Sequence, residues 1–479
     1  MNSFKLTLLI LFFYCQGLSA QIYFQRTYGF GSINEGRDVI QTMDMGFAVT
    51  GATTPGWGGQ TNFYLIKTDS IGKPEYQFSY GGNGIDQAYA LEQLPDSGFL
   101  MAGYSNSFSI NNDYDGLLIR TDLSGNQIWS KSFGTSAWDF IYSMKPTIDG
   151  NYILAGSSYG SGNGISSGYI VKVDPNGNVI WQKFIEQDEQ VNIKFIAAKS
   201  DGSFIACGSV SPSVSYPTDG FVAFLNANGD TTRTVKVDFG KHEILNAIGF
   251  YSNGDLALAG TSFDSLANDN EDQFIMRMDT NGNMVWLFLA QLPNKENNND
   301  VYVNYDSLIT AGSTSNAGFG KSDFHIGKYK ADTSAFFEGH TFGGTQDDIC
   351  YRIKRTNDGS YVLVGTTNSY GPGLQSVFLV RTDSLFTQNA TVTIGIEDVV
   401  LKNDFSVFPN PTSGNIQIRK ENLIADCTFF VYNIFGEIVF SSSFHGLKQT
   451  FNLNLPSGLY FLELNSKYGI ERTKIIVQY

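Results

Sequence analysis

Cysteine and histidine are scarce in this chain. Its 479 residues contain four of each, and neither type is grouped at the spacing of a metal-binding or haem-attachment motif. The sequence also lacks a Gly-x-Ser-x-Gly elbow and a His-Glu-x-x-His pair. Beyond Cys15, the odd number Cys207, Cys350 and Cys427 argues against a disulfide framework and favours small core residues. The sequence therefore does not predict the familiar zinc, haem or serine-nucleophile chemistries.

Charged residues and long apolar runs are also few. Only 16% of the residues are charged and the net charge is −15, so the basic surface that a nucleic-acid partner needs is missing. Beyond the first 20 residues, no apolar run reaches the roughly 20 residues of a membrane-spanning helix. We predict no nucleic-acid partner, no membrane span and no cofactor, although the acidity leaves calcium open.

The first 20 residues have the features of an export signal. Lys5 precedes an apolar run over residues 6–14, and the small pair Ser19-Ala20 precedes Gln21. A charged start, a short apolar core and a small-residue cleavage site are typical of a secretory signal peptide. We predict a signal peptide over residues 1–20, and hence an exported chain that is soluble or attached to a surface.

A repeat of about 52 residues fills most of the chain. Each copy has a turn, a short apolar strand that ends in glycine, a variable loop and a β-rich hairpin. Successive glycines are 52 or 53 residues apart: Gly51, Gly103, Gly156, Gly208, Gly260, Gly312 and Gly365. Four strand-like segments per copy, repeated seven times, are typical of a β-propeller, in which radial repetition protects the sheet edges.

The fold class is therefore predicted as all-β: a seven-bladed β-propeller with four-stranded blades, followed by a small C-terminal β-sandwich. The last repeat lacks a fourth strand, and residues 22–29 resemble one, so the N-terminal strand is expected to close the ring. The predicted divisions are residues 1–20 (signal peptide), 21–388 (propeller), 389–402 (linker) and 403–479 (tail).

Three repeats share an Asp-x-x-Gly-Asn turn followed by Trp, ending at Trp129, Trp181 and Trp286. This repeated motif resembles the blades of pyrroloquinoline-quinone-type propellers. The resemblance implies that each Trp packs between neighbouring blades. It does not bring a cofactor, because no vicinal cysteine pair or ligand set accompanies it.

The loops between the second and third strands are long, and blade connectivity places all seven on one face. Variable binding surface is usually built on such loops. Exposed aromatic rings there could stack on sugars or anchor a protein, or could simply pack back over the ring's mouth. The candidate ligand-binding residues are Trp57, Tyr114, Tyr159, Tyr216, Phe263, Phe319 and Tyr370.

Three acidic residues occupy one repeat position. Asp86, Asp139 and Asp348 each lie 17 residues before the glycine of their repeat, in the connection between blades. If they faced a common axis they could bind calcium or another cation. An Asp in a connection can equally cap its own turn, so both interpretations stay open.

The tail carries a different set of motifs, with a Pro-Asn-Pro turn and glycines that punctuate short strands. The residues singled out are Pro409, Asn410, Pro411, Gly414, Gly436, Gly458 and Tyr460. Their order and spacing closely resemble the type A C-terminal sorting domain of the type IX secretion system of Bacteroidetes. The resemblance covers the whole tail and implies the secretion translocon as a partner. It also implies a route through the periplasm, after which the protein is secreted or attached to the outer-membrane surface.

Two functions from different classes remain. The first is a cell-surface or secreted binding and adhesion module for an unidentified glycan or protein, which rests on the single face of long loops. The alternative is a glycan-active hydrolase or lyase, which would need two carboxylates roughly 5–10 Å apart in a pocket on the same face.

Overall fold

The computed structural model is all-β over the residues it describes. These are residues 23–29, 33–54, 60–109, 113–212, 218–264, 271–386, 392–393, 405–420, 427–433, 438–444, 446–466 and 469–479. The predicted signal peptide lies outside the described residues. Within those ranges, no helix is long and apolar enough to cross a membrane.

Seven sheets form the propeller, each with four antiparallel strands and one of them extended by a short fifth strand, which confirms the predicted fold class. Blades 1 to 3 comprise β2 (Asn34–Gln41), β3 (Phe47–Thr53), β4 (Asn62–Thr68) and β5 (Pro74–Tyr80); β6 (Asp86–Gln93), β7 (Phe99–Ser105), β8 (Asp115–Thr121) and β9 (Gln127–Phe133); and β10 (Asp139–Pro146), β11 (Tyr152–Ser158), β12 (Ser167–Val173) and β13 (Val179–Ile185).

Blades 4 to 7 repeat the pattern. They comprise β14 (Gln190–Ala198), β15 (Phe204–Ser211), β16 (Asp219–Leu225) and β17 (Thr231–Val237); β18 (His242–Phe250), β19 (Leu256–Phe263), β20 (Glu271–Met278) and β21 (Met284–Leu289); β22 (Glu296–Asn304), β23 (Ser307–Thr314), β24 (Asp323–Lys330) and β25 (Phe336–Phe342); and β26 (Asp348–Arg355), β27 (Tyr361–Thr367) and β28 (Ser376–Thr382), completed by β1 (Phe24–Tyr28).

Packing between neighbouring sheets closes the ring. The first strand of each blade contacts the first strand of the next, and β26 contacts β2. The strand β1 pairs antiparallel with β28, with Phe24 opposite Arg381, so the last blade combines both ends of the propeller sequence. A two-residue strand, β29 (Val392–Thr393), lies beside β1.

Each hydrophobic cluster of the propeller spans two successive blades. For example, Ile153 and Ile170 of blade 3 pack with Phe204 and Phe221 of blade 4, and Val362 of blade 7 packs in a cluster with residues of blade 1. Burying these faces supplies the main drive for assembly. A blade cannot bury both of its faces alone, which is why the repeats stack into a ring.

The repeated tryptophans seal the outer part of these junctions. A methyl group added to Gly177 of blade 3 would lie 2.6 Å from the ring of Trp129 in blade 2, and one added to Gly229 would similarly meet Trp181. The rings of Trp129 and Trp181 therefore rest on the tight turn of the following blade.

The repeating glycine has a steric cause. The first strand of every blade contains a β-bulge opposite this glycine. A methyl group added to Gly103 would lie 1.9 Å from the carbonyl oxygen of Gln87, and one added to Gly312 would lie 1.8 Å from that of Asn297. The two backbones approach too closely for any side chain, because the bulge pushes the first strand against the second.

Two smaller sheets form the tail around their own core. They are built from β30 (Phe405–Phe408), β31 (Asn415–Lys420) and β34 (Lys448–Asn452), and from β32 (Cys427–Tyr432), β33 (Ile438–Phe444), β35 (Gly458–Ser466) and β36 (Gly469–Val477). Ile416 and Ile418 of the first sheet pack with Phe429 and Leu462 of the second. The arrangement is a small sandwich.

Candidate functional site

The long loops and the connections between blades lie on the same face, which we call the long-loop face. In blade 3, the N–H of Tyr159 in the long loop donates to the carbonyl of Trp138 in the connection (2.9 Å). The N–H of Asp139 likewise donates to the carbonyl of Tyr114 (2.6 Å). This pairing brings loop aromatics of blades 2 and 3 to the mouth of the ring.

A continuous group of aromatic rings begins there, which we call the aromatic sector. Its members are Tyr89, Tyr104, Tyr114, Trp138, Phe140, Tyr142 and Tyr159, and neighbouring ring centroids are 5.0–6.3 Å apart. Trp138 is 52% exposed and Tyr159 is 42% exposed. Edge-to-face and offset contacts at these distances are the favourable arrangements for aromatic pairs. The sector thus offers a rigid apolar platform at the mouth.

The aromatic surface continues into the central channel of the ring, where residues at the β-bulges form it. One residue of each first strand stands at the bulge: Arg37, Tyr89, Tyr142, Lys194, Asn246, Asn299 and Tyr351. We call them the bulge ring. A bulge re-aims a side chain without ending the strand, so seven blades place seven side chains around one axis.

Two cations of the bulge ring stack on aromatic neighbours. The guanidinium carbon of Arg37 lies 4.1 Å from the ring centre of Tyr351 and 5.3 Å from that of Tyr89. The ammonium of Lys194 lies 4.8 Å from the ring centre of Tyr142. Both contacts are within the range of cation–π attraction. Burial lowers the pKa of Lys194, and the charge of Arg37 lowers it further.

The predicted acidic residues each begin the first strand of a blade, directly after the connection in which the sequence placed them. Asp86 accepts the N–H of Gly82 (2.8 Å), and Asp348 accepts that of Gly344 (2.7 Å). Asp139 does the same with Thr135. All three carboxyls are buried and also accept hydroxyl groups. These contacts support the turn-capping interpretation of the three residues.

At four junctions between blades, an acidic residue near the start of a first strand lies beside an acidic residue near the start of the third strand of the preceding blade. We call these four pairs the acidic seams. They are Asp115–Asp139, Asp219–Glu243, Asp272–Glu296 and Asp323–Asp348. Burial, with the charge of Asp113 and Asp139, raises the pKa of Asp115 to about 6. Burial similarly raises the pKa of Asp323 to about 6 and that of Glu296 to about 7.

The five candidate aromatics that the structure describes divide into three groups. Tyr114 and Tyr159 belong to the aromatic sector. Phe263 stacks on His242 with centroids 4.9 Å apart, and the hydroxyl of Tyr370 donates to the carbonyl of Gly343 (2.7 Å). Phe319 is 77% exposed, and its ring makes no aromatic contact among the described residues. Trp57 and Tyr216 lie outside the part of the chain that the structure describes.

Sequence reasoning missed most of the aromatic sector and all of the bulge ring. Two signals could have found them. Trp138, Phe140 and Tyr142 alternate along one strand, which predicts a shared face. Each bulge residue also precedes the repeating glycine by 14 positions, or by 13 in the case of Asn299.

In the tail, the Pro-Asn-Pro motif holds the final strand. The side-chain amide of Asn410 donates to the carbonyl of Lys474 (2.7 Å), and its oxygen accepts the N–H of Ile476 (2.8 Å). Thr412 adds two backbone hydrogen bonds to the same strand, both 2.8 Å. Pro409 and Pro411, both in cis peptide bonds, flank Asn410. This segment covers the edge of β36, which would otherwise be open.

The remaining motif residues are also structural. Gly414 has a φ of +104°, which favours glycine, and its carbonyl accepts the N–H of Leu453 (2.8 Å). Gly458 begins β35, and the hydroxyl of Tyr460 donates to the carbonyl of Pro456 (2.9 Å). Gly436 lies outside the described residues.

Comparison with known proteins identifies the tail. Residues 406–478 match the family model "Secretion system C-terminal sorting domain". The chain is thus an exported propeller protein, at the cell surface or secreted, which its type IX sorting domain directs. A search of curated proteins gives no significant match.

Among solved structures, the chain is similar to PorZ, a surface component of the type IX secretion system of Porphyromonas gingivalis. The identity is 12% and the TM-score 0.43, over 94% of this chain, which spans 61% of the length of that one. The WD40 propeller domain of Doa1 matches at 10% identity and a TM-score of 0.45, over 74% of this chain and 94% of that chain.

Proposed function

We propose that this exported propeller is a recognition protein that binds a glycan at its long-loop face, with the aromatic sector as the platform. The observation that carries the proposal is the chain of seven rings from the exposed Trp138 into the channel. Binding sites are characteristically lined by aromatic side chains with a few placed polar groups. Sugar rings, which have apolar faces and polar edges, suit such a lining.

The channel adds a preference for acidic sugars. Lys194 borders the aromatic sector through Tyr142, and its ammonium makes no ion pair with a carboxylate among the described residues. Arg37 differs, since it already pairs with Glu35 at 2.6 Å. A carboxylate or sulfate on a bound glycan would therefore meet Lys194 as the available cation.

The geometry near the platform favours binding over the alternative of a glycan hydrolase or lyase. Asp139 lies between Trp138 and Phe140 in sequence, and successive residues of an extended chain point to opposite sides. Asp139 is fully buried in its acidic seam, on the other side of the strand from the rings. Asp139, the carboxylate next to Trp138 and Phe140 in sequence, is thus turned away from the platform.

The resemblance of the repeats to pyrroloquinoline-quinone-type blades remains a hypothesis about the repeat itself. Its inter-blade tryptophans are consistent with the packing on Gly177 and Gly229. The proposed function does not depend on it.

The test is an array of neutral and acidic glycans probed with the purified full chain. We expect binding that Trp138→Ala weakens at least about ten-fold, a loss of about 1.4 kcal/mol. Phe319→Ala is the matched control, because this ring is exposed on the same face but lies outside the aromatic sector. An adhesion assay with the same two variants extends the test to cells.

The result can also contradict the proposal. A wild-type chain that binds no glycan, or an equal loss in both variants, would remove the aromatic sector as the platform. Binding to a protein array that Trp138→Ala abolishes would keep the surface but change the ligand class. Release of cleaved sugar from a bound glycan would favour the hydrolase or lyase.

A further inference from the structure

One acidic seam differs from the other three. Between blades 4 and 5, Asp219 begins β16, Glu243 lies on β18, and Asp238 follows β17 directly in the connection. One carboxylate oxygen from each of the three lies within 4.8 Å of the others. It is the one group of at least three possible metal ligands that the described residues bring together.

The buried member of this group has a free oxygen. Glu243 is fully buried, and its Oε1 accepts the N–H of Lys241 (3.2 Å). Its Oε2 has no hydrogen-bond partner among the described residues. A buried carboxylate oxygen without a partner is costly, and an ion at the seam would satisfy it.

The protein's own cations do not fill this role. Lys241 extends to the next seam, where its ammonium lies 3.0 Å from Asp272. Lys236 pairs with Glu189. His242 accepts the N–H of Thr218 at Nδ1 (3.1 Å), so that nitrogen carries no proton. Among the described residues, no ion pair therefore neutralises the three carboxylates at the seam between blades 4 and 5.

We propose that Asp219, Asp238 and Glu243 bind a calcium ion at this seam. Calcium prefers oxygen ligands at about 2.3–2.6 Å, so ligands on opposite sides of the ion are about 4.8 Å apart. The three oxygens here lie within 4.8 Å of one another, so one calcium ion could contact all of them. Exported modules commonly bind calcium with dissociation constants of about 10⁻⁴–10⁻³ M. The ion would join blade 4 to blade 5 beside the long-loop face.

The experiment is calorimetric titration of the purified full chain with calcium chloride, together with thermal unfolding at rising calcium. We expect binding and a higher Tm at calcium concentrations near 1 mM. Asp238→Asn should weaken calcium binding at least about ten-fold, and this exposed side chain can be changed without disturbing the core. Glu243→Gln should abolish binding.

Glu296→Gln is the matched control. Glu296 occupies the position of Glu243 in the next blade and is equally buried. Its seam differs because the ammonium of Lys241 pairs there with Asp272. This variant should bind calcium as the wild type does. The proposal is overturned if the wild type shows no heat and no Tm shift up to about 10 mM calcium, if Asp238→Asn binds as tightly, or if Glu296→Gln loses binding.

Discussion

Blades 2 and 3 differ sharply from blades 5 and 6 at the channel, although their backbones are alike. The former carry the aromatic sector, whereas the latter carry Asn246, Asn297 and Asn299, which we call the asparagine sector. Asn246 donates to the carbonyl of Asn298 (3.0 Å), and Asn299 donates to that of Cys350 (2.8 Å). These amides link neighbouring first strands.

The comparison separates two kinds of position in one repeat. The repeating glycine and the bulge are the same in both sectors because sheet geometry requires them. The side chains displayed by the bulge are free of that requirement, so they differ with local use. In one sector they form an apolar platform, and in the other they satisfy backbone groups of the adjacent blade.

The largest expected effect concerns the shared backbone. Gly103→Ala in blade 2 and Gly312→Ala in blade 6 each place a methyl group within 2 Å of a carbonyl oxygen. Each variant should lose more than about 3 kcal/mol of unfolding free energy or fail to fold. Urea unfolding followed by tryptophan fluorescence measures the change. A loss in only one of the two variants would show that the sectors differ in backbone as well.

The next effect separates the sectors. Tyr104 contacts the rings of Tyr89, Tyr114, Phe140 and Tyr142, so Tyr104→Ala should cost about 2–3 kcal/mol. Its counterpart Thr261 makes one long hydrogen bond, 3.4 Å from Asn246. Thr261→Ala should therefore cost less than about 1 kcal/mol. Equal losses in urea unfolding would contradict the comparison.

The acidic seams cross both sectors and should respond to pH in the same way. Asp115 and Glu296 have pKa values raised to about 6 and about 7, above those of the unfolded chain, so the folded state binds more protons between about pH 4 and pH 7. Stability of the chain in a chelator should fall as the pH rises through this window.

Single substitutions should reduce this dependence. Asp115→Asn in one sector and Glu296→Gln in the other each remove one such proton, so each should flatten the decrease measured by urea unfolding at pH 5 and pH 8. A wild-type stability that rises over this interval would contradict the assignment of these groups.

The smallest effect lies at the outer circumference, between the sectors. Lys183 of blade 3 pairs with Asp230 of blade 4 at 2.9 Å, with both side chains about half exposed. Exposed ion pairs contribute little, so Lys183→Ala should change the unfolding free energy by less than about 0.5 kcal/mol. A larger loss in the same urea assay would show that exposed ion pairs stabilise the contact between blades 3 and 4 substantially.

The sequence predicts the architecture well because the architecture repeats. Seven glycines at nearly constant spacing report seven equal backbone requirements, and their count gives the number of blades. The tail is equally predictable, because its Pro-Asn-Pro motif and its glycines have fixed structural duties, such as the contacts of Asn410 with β36.

The channel could not be predicted in the same way. A β-bulge breaks simple alternation, so counting alternate residues past Arg37 or Tyr142 assigns the following side chains to the wrong face. Loop aromatics such as Phe263 and Tyr370 suggest exposure, but their partners His242 and Gly343 are more than 20 residues away. Position in a loop does not reveal where a ring packs.

The pairing of β1 with β28 closes the propeller. These two strands are the halves of a clasp, and they are synthesised at different times during translation. The first half emerges from the ribosome near the beginning, and the second only after six blades have been made. The sorting domain is translated later still, so every polypeptide that displays the export address already contains both halves of the clasp. A truncated chain that lacks β28 therefore also lacks the sorting domain, so incomplete propellers do not carry the export signal.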